Sequence, residues 1–299
     1  MARDWESWLA NAARGPSQTE KDERDRTEAR IRRAIADDPN LSGNVRVFVK
    51  GSYANNTNVR ADADVDIAVE WNKWAFVEHA FQAKGLTAAQ VGYTTVIEGP
   101  DSDTYRRWVH SALVNTFGSS GVHPGNKAIL VDASSTTLDA DVVPCFRHNR
   151  YDRAGASPKR GIRLYPKNGG MIINWPDQNL ENGRCKNNAS ARNYKQIVRA
   201  VKRLENDMVE KGILNKEVPS FLIECLLWNV PNPRFTSSSS YLETVRKCFR
   251  FLWTPLRENE CEEWGEVNEL KYLFRSGQKW TRQDAFNFID KAWDTVGVG

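Results

Sequence analysis

Histidine and cysteine are scarce in this chain, and neither is clustered. Four histidines (His79, His110, His123, His148) and five cysteines (Cys145, Cys185, Cys225, Cys248, Cys261) are scattered through 299 residues with no C-x-x-C pair. That spacing offers no tetrahedral zinc site, and an odd number of cysteines gives no closed disulfide framework. Long apolar runs are missing too: no window approaches the roughly 18 uninterrupted apolar residues of a membrane span. There is no long Lys/Arg tract, and a formal net charge of +4 does not by itself mark a nucleic-acid binder. It does suit a protein whose ligands are polyanionic phosphates. The opening stretch MARDWESWLANAARG carries charges throughout and has no apolar h-region, so a reduced, cytoplasmic protein with no membrane partner is expected.

What is present is a change of hydrophobic period along the chain. Residues 1–40 read as helix, with Trp5, Trp8 and Leu9 at i, i+3, i+4 and with Ile31, Ala34 and Ile35 on one stripe, ended by the turn-forming Asp37-Asp38-Pro39-Asn40. Val45, Val47 and Val49 then alternate with Arg46, Phe48 and Lys50 as in a strand, and so does the run Asp62 to Trp71. Lys73–Lys84 and Trp108–Phe117 predict helices, and residues 127–146 hold two β-like pieces around a Ser/Thr turn. Residues 149–190, rich in Gly, Asn, Pro and Arg, predict an irregular connection whose apolar side chains still need burial. From Ala191 the helical period dominates: Tyr194, Ile197, Val198, Val201, Leu204 and Met208 form one stripe and Tyr241 to Trp253 another, with a serine run before the latter to cap it. The expected organisation is α+β: a mixed-sheet lobe over residues 1–150, a connection over 151–190 lining a cleft, and a helical lobe over 191–299.

The segment that carries chemistry runs from Val49 to Trp71, VKGSYANNTNVRADADVDIAVEW. In a strand, residues i and i+2 share a face about 6–7 Å apart. Asp62, Asp64 and Asp66 therefore project from one side while Val65 and Ile67 face the core. Two carboxylates about 5 Å apart repel by roughly 3 kcal/mol at an effective dielectric of about 20. Such a set calls for a cation, and oxygen-only ligands select a hard one, Mg²⁺ or Mn²⁺. The competing reading is an exposed, solvated acidic edge strand. Gly51-Ser52, following a strand and preceding Asp64 by twelve residues, tips the balance, because a glycine turn with a hydroxyl can cradle phosphate beside metal-binding carboxylates. A third carboxylate is offered by TTLDADVVPCF, as Asp139 or Asp141.

Here the chain resembles a known superfamily. The Gly-Ser turn, the Asp-x-Asp strand and the later Asp141-Val142-Val143-Pro144 are similar to the polymerase-β-type nucleotidyltransferases, and most of all to the bacterial CD-NTases (cGAS/DncV-like nucleotidyltransferases) of the CdnE-like branch. Arg199–Lys202 and Pro219–Glu224 resemble helical-lobe segments of the same family, so the resemblance runs from about residue 45 to 231. It implies a bilobal fold with the active site in the cleft. It also implies that Asp64, Asp66 and Asp141 hold two Mg²⁺ or Mn²⁺ ions, with Asp62 and Asp139 as the register alternatives. Gly51 and Ser52 match the phosphate-binding turn. Lys202 and Ser220 match residues that contact the triphosphate; the competing readings are a solvated helix face and a helix N-cap.

The resemblance further implies that nucleoside triphosphates are joined and cyclised into a second messenger for antiphage (CBASS-type) signalling, sensed by a downstream effector protein. The Cys/His zinc insertion of the animal DNA sensor in this superfamily is lacking, so no DNA activator is expected. In the segment 161–190, Asn174 is the candidate to read a base edge, since its amide both donates and accepts. Two other classes compete: a transferase that modifies an RNA, protein or small-molecule acceptor, and a binding module without catalysis. Three mutually repelling carboxylates speak against the last.

Overall fold

A computed structural model describes residues 3–59, 64–80, 84–91 and 99–297. Its contacts divide the chain into two compact units, one comprising Ser17–Ala54 and Arg60–Gln178, the other Met1–Pro16, Asn55–Val59 and Asn179–Gly299.

The first unit is built on a mixed sheet. Strands β1 (Val45–Val49), β2 (Val65–His79), β3 (Val122–Pro124), β4 (Ile129–Val131) and β5 (Ala140–Tyr151) stand in the order β1-β2-β5-β4-β3. Strands β6 (Lys159–Leu164) and β7 (Ile172–Asn174) extend the sheet beside the later part of β5. β2 and β5 pair in parallel and their other neighbours are antiparallel. The alternation along β2 divides the two faces. Val65, Ile67, Val69 and Trp71 point into a core shared with Ile31, Ala34 and Ile35 of α2 (Gln18–Ala36) and with Tyr105, Val109 and Leu113 of α5 (Ser102–Phe117). Asp66, Ala68 and Glu70 point the other way. Helix α2 begins with a capping box, Ser17 and Glu20 each bonding the other's backbone N–H.

The second unit is helical: α7 (Asn193–Glu210), α8 (Ser220–Trp228), α10 (Tyr241–Glu258) and α11 (Arg282–Gly297) bury the predicted stripes in one core. Helix α1 (Trp5–Ala12) belongs to this unit and not to the sheet lobe expected over 1–150. The reason is local. Leu9 is fully buried against the helical core, Arg199 and Arg203 of α7 donate to the carbonyls of Ala13 and Ala12 at 2.8 and 2.6 Å, and the Glu6 carboxylate accepts from Ser240 Oγ and the N–H groups of Tyr241 and Leu242 at the start of α10.

Two further expectations are corrected. The stretch from Lys73 does not turn helical: β2 continues to His79 after a bulge between Trp71 and Ala75, because Trp74 stacks on Phe146 at 5.1 Å and Phe76 packs edge-on to the same ring. Cross-strand aromatic packing outweighs a weak local preference. Nor is 151–190 irregular, since it forms β6, β7 and α6 (Pro176–Ala189). Gly161 shows why its composition misleads: a Cβ there would lie 2.7 Å from the Trp175 ring and 2.8 Å from the Asn174 carbonyl, so the glycine permits strand packing instead of breaking it.

The docking of α1 is testable. Leu9→Ala should cost about 2–5 kcal/mol by leaving a cavity, seen as a lower urea midpoint. Met171→Ala, at an exposed site, should change stability by no more than about 0.5 kcal/mol. Equal, small effects at both positions would mean that α1 is a loosely held arm.

Candidate active site

The parallel register sets Asp66 of β2 directly beside Asp141 of β5. Asp64 is exposed one residue before β2, and its charge acts on Asp141. The carboxyl of Asp141 titrates above the usual carboxylate range, first because it is half-buried, then because Asp64 and Asp66 add like charge; Lys50 opposes the shift. On the other side of β2, Lys50 donates to Asp66 Oδ1 at 2.6 Å, and its own N–H bonds the Asp66 carbonyl at 2.9 Å. Gly51 follows at φ +69°, and a Cβ there would fall 2.3 Å from Asp66 Oδ2. Only glycine lets the turn and the short helix α3 (Gly51–Asn55) lie this close to the carboxylate. Ser52 is partly buried within that turn.

Asp139 and Asp141 differ in their surroundings. Asp139 precedes β5, and its carboxylate accepts the Ala133 N–H at 2.6 Å, so it shapes the loop. Asp62 lies outside the described residues. As they stand, no three Asp, Glu, His or Cys side chains among the described residues are gathered into a ligand cage. The positive charge nearest Asp66 is the Lys50 ammonium. The donor set nevertheless fits a hard divalent ion: neighbouring carboxylates, one raised by burial and by the charge of the others, with no side chain on Gly51 beside them.

Along the same face, away from the carboxylates, Phe48, Ala68, Val143, Cys145, Ile162, Leu164 and Ile172 form a small apolar patch. Beyond it Glu70, wholly buried, is ringed by guanidinium groups of Arg160 at 2.5 Å, Arg147 at 3.3 Å and Arg46 at 3.8 Å. Arg46 also pairs with Asp177. Asn174 sits opposite Ile162 in the β6–β7 ladder, so it shares the face that carries Asp66 and Asp141, and it is exposed.

Lys202 and Ser220 belong to the helical unit. Lys202 is 3% exposed, which removes the solvated-face reading. Its ammonium donates to the Thr57 carbonyl, the Thr57 hydroxyl and Glu224 Oε2 at 3.2, 3.3 and 3.3 Å. Ser220 is the first residue of α8, exposed, with Pro219 in the cap position; its hydroxyl caps nothing. The neighbouring Phe221 packs edge-on to Trp280.

Residues 181–297 match the family described as the cGAS/DncV-like nucleotidyltransferase C-terminal helical domain. Over 302 aligned residues the chain is 38% identical to the cyclic dipyrimidine nucleotide synthase CdnE of Legionella pneumophila, covering 99% of both. It is 35% identical to a cyclic dipurine nucleotide synthase of Elizabethkingia meningoseptica, covering 85% of both. The solved structure of Elizabethkingia meningoseptica CdnE with GTP and Apcpp aligns at a TM-score of 0.81 and 32% identity, covering 98% of this chain and 99% of that one. The c-UMP-AMP synthase CdnE of Rhodothermus marinus, solved with Apcpp and Upnpp, aligns at 0.83 and 27%, covering 98% of each. This chain belongs to the CD-NTase family, in its CdnE-like branch.

Three residues of this CD-NTase escaped the sequence reading. Lys50 was legible in principle, since Arg46, Phe48 and Lys50 alternate onto the face of Asp66 once β1 is paired with β2. Glu224 stands four residues after Ser220 and so one helical turn away on the same side. Thr57 carried no signal at all.

The conflict among the carboxylates has a measurable sign. With Asp141 raised above its unfolded value, the folded state holds the extra proton in the window just above the ordinary carboxylate range, and metal-free stability falls as pH rises through that window. In EDTA at pH 7, Asp141→Asn should therefore melt above the parent protein, and the gain should fade as pH drops through the raised value. Adding Mg²⁺ should raise the parent's melting temperature and leave the variant's nearly unchanged. A variant no more stable than the parent would show that the charges are not in conflict.

Proposed function

We propose that this chain joins and cyclises ribonucleoside triphosphates into a cyclic di- or oligonucleotide, releasing pyrophosphate. The observation that carries the reading is the cross-strand pair Asp66–Asp141, with Asp64 acting on it and Gly51 close against it. The named activities of its full-length relatives support it, as do the nucleotides in the titles of the aligned structures.

In this reading Asp64, Asp66 and Asp141 would hold two Mg²⁺ or Mn²⁺ ions, which when bound supply Lewis-acid charge for the attacking hydroxyl and the departing pyrophosphate. Gly51 and Ser52 receive the β- and γ-phosphates, and Lys202 and Ser220 contact the same triphosphate. A ribose hydroxyl oxygen forms a bond to the α-phosphorus while the α–β bridging bond breaks. Asp141 is our candidate to take the hydroxyl proton. Repeating the displacement within the linear product closes the ring.

Relatives of similar identity are named for dipyrimidine and for dipurine products, so overall identity does not fix base choice. Asn174, on the face of Asp66 and Asp141, is our candidate for reading a base edge. The product would act in the cytoplasm as a second messenger in antiphage (CBASS-type) defence, through an effector protein that senses it.

The decisive measurement is incubation of the protein with all four ribonucleoside triphosphates and Mg²⁺ or Mn²⁺, followed by phosphatase and mass spectrometry. A phosphatase-resistant cyclic product is expected from the parent protein. From Asp64→Asn/Asp66→Asn it should fall by about 100-fold or more, since metal-held charge contributes several kcal/mol. A product that forms only after an RNA, protein or small-molecule acceptor is supplied would replace cyclisation by acceptor modification.

A further inference from the structure

Lys202 is held from two directions, by a carboxylate on α8 and by a threonine of the Asn55–Val59 segment, and all three side chains are buried. Thr57 is 0% exposed and Lys202 and Glu224 are each 3% exposed. The Thr57 hydroxyl donates to Glu224 Oε2 at 3.0 Å, the same oxygen that accepts Lys202 at 3.3 Å. Lys202 returns to Thr57 twice, through its carbonyl and its hydroxyl. Ammonium, hydroxyl and carboxylate thus form a closed ring of hydrogen bonds. Glu224 lies one turn beyond Ser220 on α8, and a helical side chain leans back over the preceding turn, toward Ser220.

A buried ion pair is a poor source of stability, because desolvating both charges offsets their attraction, and a well-packed apolar pair is often as stable or more so. Nor is Lys202 needed to anchor the segment. Arg199 donates to the Asn56 carbonyl at 2.6 Å and Arg203 to that of Val59 at 3.3 Å, so the neighbouring carbonyls are already gripped by α7. A charged lysine between two arginines that do the anchoring calls for another purpose. The three bonds of the ammonium, at 3.2, 3.3 and 3.3 Å, are all longer than the usual N–H···O distance of about 2.9–3.0 Å, so the ring orients the lysine without gripping it tightly.

We propose that Glu224 and Thr57 are positioning residues that hold the Lys202 ammonium in place and aim it for a nucleoside triphosphate. The proposal rests on the reading of Lys202 as a triphosphate contact and adds the two groups that aim it. Neither Glu224 nor Thr57 touches the nucleotide; both act through the lysine. Their loss therefore weakens capture of the triphosphate more than it slows the chemical step.

The test is pyrophosphate release measured against the concentration of an equimolar mixture of ATP, GTP, CTP and UTP. Lys202→Ala, by removing a charge-assisted hydrogen bond, should raise KM by about 10- to 100-fold. Glu224→Gln should raise KM by about 10-fold with kcat changed by no more than about threefold, and should add nothing in the Lys202→Ala background. Thr57→Ser, which keeps the hydroxyl, should retain the parent KM, whereas Thr57→Val should raise it; this pair remains informative if Glu224→Gln folds poorly. Failure of Lys202→Ala to alter KM would overturn the triphosphate contact, and the positioning role with it. A raised KM in Lys202→Ala with an unchanged or lowered one in folded Glu224→Gln would overturn the positioning role alone. So would a Glu224→Gln effect that persists undiminished in the Lys202→Ala background, because the carboxylate would then act on the fold and not on the ammonium.

Discussion

The parallel pairing of β2 with β5 places two aspartates side by side in a protein interior half closed to water, and much of the sheet unit can be understood as accommodation of that adjacency. Neighbouring strands lie about 4.8 Å apart, and like charges at that spacing repel by roughly 3 kcal/mol at an intermediate dielectric. Burial first, and then this repulsion, raises the proton affinity of Asp141. Lys50 answers it from the position just after β1, and Gly51 removes the side chain that would otherwise occupy the space beside Asp66. The divalent ions we propose for this site would supply the remaining compensation and turn a structural cost into an electrophilic site.

Charge burial recurs elsewhere, each time resolved within its own unit. Glu70, four residues after Asp66 on the same face of β2, is surrounded by Arg46, Arg147 and Arg160 from β1, β5 and β6. Such clusters add little net stability, but they make the register unambiguous. A one-residue slip of β2 would turn Asp66 and Glu70 into the apolar core shared with α2 and α5 and bring Val65, Ile67 and Val69 out of it. In the helical unit, Lys202 with Glu224 and Thr57 plays a similar part between α7, α8 and the Asn55–Val59 segment.

The expectations that failed share a cause. The continuation of β2 past Trp71 was hidden because Trp74 and Phe76 owe their strand conformation to Phe146, some seventy positions away in the chain. β6 and β7 were hidden because Gly161 is present to admit the Trp175 ring, a partner that a local window does not contain. The N-terminal helix was recognised but assigned to the wrong unit, since its amphipathic face does not say which core it meets; Arg199, Arg203 and the start of α10 decide that. The surviving expectations, α2, α5, α7, α10 and the strand pair bearing Asp66 and Asp141, are those whose period is strong enough to be read without knowing the partner.

The sequence by itself determined the pattern on which the proposed chemistry rests. Oxygen ligands at spacing two, a Gly-Ser turn twelve residues earlier and a second Asp-bearing strand point to hard-ion phosphate chemistry, because ligand hardness and side-chain alternation are local properties. Tertiary structure decided which of Asp139 and Asp141 faces Asp66, that Lys50 pairs with Asp66, and that Lys202 is buried on Glu224 instead of lying in solvent. Those are outcomes of register and of packing between distant segments. They depend on which strand or helix arrives beside each residue, and no local pattern contains that information.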